Sequence, residues 1–146
     1  MIRVKIEGMK EAIRNIQDWE VEKIRQSRLQ VERSAINIER EAKNACPVAP
    51  NGGRLRSSIS KSVTVSEKGR VLEAQVGTNN VEYAPFVEFG TGSGVSVPAN
   101  LQEYASQFKG KTGRVRNYPA RPFLFPAWEQ ERPKFLMAME AILAKR

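Results

Sequence analysis

A chain of 146 residues that is 40% hydrophobic can bury one sizeable core, so a single domain spanning 1–146 is expected. The absence of histidine excludes Ser-His-Asp and Cys-His catalysis, imidazole acid–base work and His-liganded zinc; one cysteine, Cys46, can build neither an intrachain disulfide nor a thiolate metal site. A formal net charge of +8 invites an acidic partner, nucleic acid included.

At the N-terminus, Ile2, Val4 and Ile6 alternate with Arg3, Lys5 and Glu7, the period of a half-buried strand, and Gly8 breaks it. No apolar run reaches signal-peptide length there, and none later reaches the length that spans a bilayer, so a soluble protein made in a cytoplasm is expected. From Met9 the period changes. Met9, Ile13, Ile16, Ile24, Val31, Ala35, Ile38, Ala42 and Ala45 recur at helical spacing and predict a helix of roughly 35 residues, about 50 Å long. Small residues late in that stripe permit close approach, either of the protein's own sheet or of another subunit. Pro47 and Pro50, then Asn51, Gly52 and Gly53, end the helix. Cys46 reads as a small apolar residue at the helix end, since no histidine exists to activate it.

Ile59, Val63 and Val65 alternate with Ser60, Ser62, Thr64 and Ser66; after the turn SEKGR, Leu72, Ala74 and Val76 alternate with Glu73 and Gln75. These two runs predict a β-hairpin closed by Gly77, its hydroxyl face solvated or paired with a neighbour in an assembly. Tyr83 to Phe89 reads as a helical turn in preference to a third strand, with Gly90 just past its end. Thr91 to Tyr118 then reads as a loop long enough to be functional or mobile, with the mobile part at about 92–118. Phe123, Leu124 and Phe125, between prolines, read as an extended segment at a sheet edge. Pro126 suits the first turn of a terminal helix whose apolar face is Phe135, Met139 and Ile142; Pro133 must kink that helix or restart it.

Two glycine-containing stretches resemble phosphate-binding loops only in outline. In ASQFKGKT, Gly110, Lys111 and Thr112 stand in the order of a phosphate loop, but LQEYA before it is no buried strand and GRVRNYPARP after it cannot continue as a helix. GTGSG lacks the third glycine at dinucleotide-fold spacing, so Gly90 reads as a terminator. No cofactor, metal or catalytic set is expected. The basic set Lys109, Lys111, Arg114 and Arg116, with Arg121 beyond it and aromatic residues interleaved, could contact a nucleic-acid backbone or order on a protein partner.

The blocks PVAPNGGRLRSSI, YAPFVEFGTG and PARPFLFPAW, in this order with a variable loop between the last two, resemble the gene-product-ten-like family of HK-ninety-seven-type tailed phages. Members are small neck or tail-completion proteins acting where head and tail join. The matching positions are Gly53, Arg54, Leu55 and Ser58; Tyr83, Ala84, Val87, Glu88, Phe89, Gly90 and Thr91; and Ala120, Arg121, Pro122, Phe123, Leu124, Pro126 and Ala127. The resemblance implies a structural corner in which Tyr83 and Phe89 anchor in the core and Gly90 turns the chain outward, with Glu88 as charge partner of Arg121.

The resulting expectation is one α+β domain, a long helix and a terminal helix on one face of a small, mainly antiparallel sheet. The expected role is structural, in a homo-oligomeric ring or collar at the head–tail junction of a virion assembled in a bacterial cytoplasm. The expected contact surfaces are the basic loop, the hairpin and the long helix, binding other neck and tail proteins, with weak nonspecific DNA contact and no membrane. A minor tail or tail-assembly protein is the near alternative, and a nonspecific nucleic-acid-binding module the distant one.

Overall fold

The computed structural model describes residues 3–5, 21–49, 53–65, 72–91, 97, 99–106 and 118–144. In chain order these form β1 (Arg3–Lys5), α1 (Val21–Ala45), a short α2 (Arg54–Ser58), β2 (Ile59–Val65), β3 (Leu72–Thr78), α3 (Ala84–Phe89), a 3-10 turn (Ala99–Leu101) running into α4 (Gln102–Ser106), and α5 (Leu124–Ala144). The first third or so of the expected long helix, residues 9–20, and the hairpin turn at 66–70 lie outside the described residues.

The period-two alternation builds the sheet. β3 lies in the centre, antiparallel to both neighbours, in the order β1-β3-β2. Register sets Val63 opposite Ala74 and Val65 opposite Leu72, so the apolar positions of the hairpin share a face. Gly77 does not close β3: it sits inside the strand opposite both Arg3 and Ser60, and the strand runs on to Thr78. On the other face Ser62 and Thr64 are exposed, which fits the solvated hydroxyl face.

Val31, Ala35, Ile38 and Ala42 of α1 are fully buried in one core with Ile59, Leu72, Ala74 and Val76. The alanine stretch therefore lets α1 close on the protein's own sheet, each large aliphatic residue contributing about 1.5–3 kcal/mol of burial. On its flank α1 packs against α5, with which it is antiparallel: Ser34 Oγ and Asn37 Nδ2 donate to Glu131 Oε1 at 2.9 and 3.2 Å, and Lys23 Nζ donates to the Ile142 carbonyl at 2.8 Å. Sliding either helix would leave the buried Glu131 carboxylate without these donors, so the polar pairs fix the register that Phe135 and Met139 fill.

Two sequence expectations are corrected here. Phe123, Leu124 and Phe125 are not an extended edge segment; Leu124 and Phe125 open α5, and Phe123 precedes it fully buried. The stretch from Thr91 to Tyr118 is not wholly loop, because 99–106 is helical, with Ala105 buried and Gln102 Nε2 donating to the Val97 carbonyl at 3.4 Å. Pro126 does fall in the first turn of α5, and Phe135, Met139 and Ile142 do face inward.

Pro133 neither ends nor restarts α5, which is continuous across it, at an exposed position. Proline nonetheless brings no N–H of its own to the helix ladder, and its ring crowds the preceding turn. Pro133→Ala is accordingly expected to raise stability by about 1–3 kcal/mol, read as a higher urea midpoint with an unchanged slope.

Candidate functional site

α1 gives out at Ala45, where the Cys46 N–H still reaches the Ala42 carbonyl at 2.9 Å and Pro47 prevents another turn. Cys46 is a buried free thiol whose ionisation burial pushes up, the state of an inert core residue. In α2, Leu55 points into the core while the Ser57 and Ser58 hydroxyls donate back to the Arg54 and Leu55 carbonyls at 3.0 and 2.7 Å. Arg54 reaches the Asn80 carbonyl at 3.4 Å and ties α2 to the end of β3. Gly53 has an ordinary negative φ and open space where a Cβ would stand, so nothing in the structure explains glycine there.

α3 carries Pro85 in its first turn and ends at Gly90, whose φ of 72° admits glycine far more readily than other residues and sends the chain outward. The Thr91 N–H then donates to the Tyr118 carbonyl and the Tyr118 N–H to Thr91 Oγ1, both at 3.1 Å. This reciprocal pair brings residue 118 back beside residue 91. The Arg121 N–H donates to the Val87 carbonyl at 2.8 Å, fastening the third block to α3.

Glu88 completes the corner. Its side chain is 2% exposed, and its carboxylate accepts the N–H groups of Phe123, Leu124 and Phe125 at 2.9, 3.1 and 3.0 Å. A helix leaves its first N–H groups without internal partners, and none of Ala120 to Phe123 is a residue type that caps a helix. Pro126 has no N–H at all, so Glu88 takes the three amides left at the start of α5. The expected Glu88–Arg121 ion pair does not form: Arg121 contributes its backbone to α3, and its side chain is exposed. Charge complementarity lost to geometry, because both Glu88 oxygens are already occupied by amides in a site that an exposed guanidinium does not enter.

The three blocks meet in a groove of about 500 Å³ lined by Pro47, Val48, Ala49, Leu55, Tyr83, Phe86, Val87, Thr91, Tyr118, Pro119 and Arg121. Val48 is 55%, Tyr83 45%, Phe86 40% and Tyr118 56% exposed, a concentration of large apolar surface facing water. Tyr83 is therefore no core anchor, unlike Phe89, which is buried and stacks obliquely on Phe125 with ring centroids 5.4 Å apart. Among the described residues Arg121 is the one charged residue in the lining. The groove can bind by shape and charge; among the described residues its lining holds no acid, base and nucleophile set.

Of the motif positions, Leu55, Tyr83, Val87, Thr91 and Arg121 line the groove. Ala84, Glu88, Phe89, Phe123, Leu124 and Ala127 are buried, and Gly90 turns the chain at the edge; Gly53, Arg54, Ser58, Ala120, Pro122 and Pro126 are exposed or half-buried around them. Lys109, Lys111, Arg114 and Arg116 lie outside the described residues. Sequence reasoning missed Val48, Phe86 and Pro119, and it read Tyr118 as an aromatic beside the basic set, not as part of this lining. The spacing of Tyr83, Phe86 and Val87, which puts three apolar residues on one side of a helical turn, was the available signal.

A family model described as bacteriophage HK97-gp10, a proposed tail component, matches residues 8–90. The match contains the first block and the second as far as Gly90, so Thr91, Gly92 and the whole third block lie beyond it. No curated protein and no solved structure matches the chain significantly.

Glu88→Ala is expected to cost on the order of 3 kcal/mol in chemical denaturation, through three amides left without their acceptor. Burial pushes the Glu88 carboxyl above its ordinary 4.5, against the opposing pull of the three backbone donors. The folded chain therefore holds the proton more tightly than the unfolded one. Wild-type stability relative to Glu88→Gln should be greatest below the ordinary value and decline as pH rises through the raised one, in urea titrations from about pH 4 to about pH 7. At the groove, Phe86→Ser should change stability by no more than about 0.5 kcal/mol, whereas Leu55→Ala should cost about 2–5 kcal/mol. Paired thermal unfolding of the two variants separates rim from core.

Proposed function

The chain belongs to the HK97-gp10-like family of bacteriophage tail components, and from that premise we propose that it joins head to tail as a neck or tail-completion protein. The observation that carries this reading is the convergence of the three sequence blocks on one exposed apolar groove. Such a surface is costly to leave in water and gains by being covered in an assembly. The protein acts by surface complementarity, without catalysis or cofactor. In a ring or collar each subunit meets its neighbours through two different surfaces, and closure of the rotation sets the ring.

The groove supplies one such surface, and the long helix, the hairpin and the basic loop the others. The net charge of +8 suits a passage through which DNA moves, with weak, salt-dependent contact by Lys109, Lys111, Arg114 and Arg116. The family description favours a second reading, a minor tail or tail-assembly role, which differs in where the protein sits.

Deleting the gene from its phage or prophage and imaging the particles by electron microscopy tests the proposal. Filled heads accumulating apart from finished tails are expected. Intact, infectious particles would overturn a joining role, and filled heads with tails absent or unfinished would favour tail assembly.

A further inference from the structure

We infer that the groove receives an extended acidic segment of another virion protein, an aromatic or proline side chain seating between Tyr83, Phe86 and Tyr118 and a carboxylate meeting Arg121. The inference rests on the assembly role proposed above and names the partner's chemistry. Among the described residues, eight large apolar side chains are exposed, and Val48, Tyr83, Phe86 and Tyr118 of this groove are four of them. The apolar surface is thus concentrated in one concave place. Its volume of about 500 Å³ falls in the range that encloses a small ligand's worth of side chains. Aromatic and proline walls are the surfaces on which extended, proline-rich segments dock.

Charge decides the sign of the occupant. Among the described residues no carboxylate lines the groove and Arg121 does; in the chain the exposed Arg54 and Arg56 flank Leu55, against one exposed acid, Glu82, beside Tyr83. A second copy is the weaker match in charge: beside the exposed pair Leu136 and Met137 on α5 stand two exposed cations, Arg132 and Lys134, against one exposed acid, Glu140, and the chain as a whole carries +8. The receptor is also prepared in advance. Tyr118 is pinned to Thr91 by two hydrogen bonds and Arg121 to Val87 by its own N–H, so little backbone ordering remains to oppose binding.

The test pans a random-peptide display library on the full chain and, in parallel, on Arg121→Glu. The wild type should select peptides that place Asp or Glu beside an aromatic residue or proline. A synthetic copy of such a peptide should lose about tenfold or more in affinity on Arg121→Glu and recover when its acid is changed to Lys. No enrichment, or the same peptides from both proteins, overturns the inference, as does self-association in sedimentation that Phe86→Asp abolishes, which would give the groove to a second copy. Failure here is distinct from failure of the assembly role. If the gene deletion separates heads from tails while peptide selection ignores Arg121, only the occupant is wrong; if deletion leaves particles intact while the charge swap holds, the groove binds as stated and the joining role falls.

Discussion

The carboxylate of Glu88 is the contact on which the arrangement of this molecule turns. It lies near the end of α3, a two-turn helix, and supplies the acceptor that α5 lacks at its own start. An unpartnered amide at a buried helix end costs about 1–3 kcal/mol, and a carboxylate removed from water needs donors to justify its burial. Each deficit answers the other. The result is that the entry to α5 can stand in one place only, and the chain just before it, Pro119 to Pro122, is carried to the face of α3.

The groove is a by-product of that fastening. Once Phe123 is fixed by Glu88 and Arg121 by the Val87 carbonyl, Tyr118 and Pro119 must pass along the outer side of α3, opposite the end of α1. Residues far apart in sequence then share one wall. The backbone of Arg121 serves the fold and its side chain serves the groove, so a residue that looked like half of an ion pair has two separate tasks.

Much of the fold was legible because hydrophobic period is a local property. The alternation at Ile59 to Val65 and Leu72 to Val76, and the stripe through Val31, Ala35, Ile38 and Ala42, each needed only its own segment to be read. Glu88 was not legible in this way. Its partners are backbone amides, which every residue owns and no sequence marks, whereas Arg121 advertised a charge. The trace it did leave was negative: a helix starting at Leu124 with Pro126 in its first turn and no capping residue among Ala120 to Phe123 must borrow an acceptor from elsewhere. Phe123 to Phe125 misled for the same reason, since prolines on both sides fit an edge strand as well as a helix entry until the tertiary cap is known. In the groove, Leu55 and Val87 were found as apolar motif positions, while Val48 was passed over because it lies on no periodic face and Tyr118 was read only as an aromatic beside the basic set.

Stability and binding are consequently separated within one small domain. The burial that opposes chain entropy is concentrated where α1 meets the sheet and α5, and its polar contacts there, around Glu131, select a register. The corner built from α2, α3 and the entry to α5 is fastened by backbone bonds at Arg121 and at Phe123 to Phe125 but leaves aromatic rings in water, a cost that folding alone gives no reason to retain. On the proposed assembly role, such a surface is retained for what would cover it. The rigid cap beneath it means that a partner meets a preformed shape, so affinity can arise from a few seated side chains rather than from a large area.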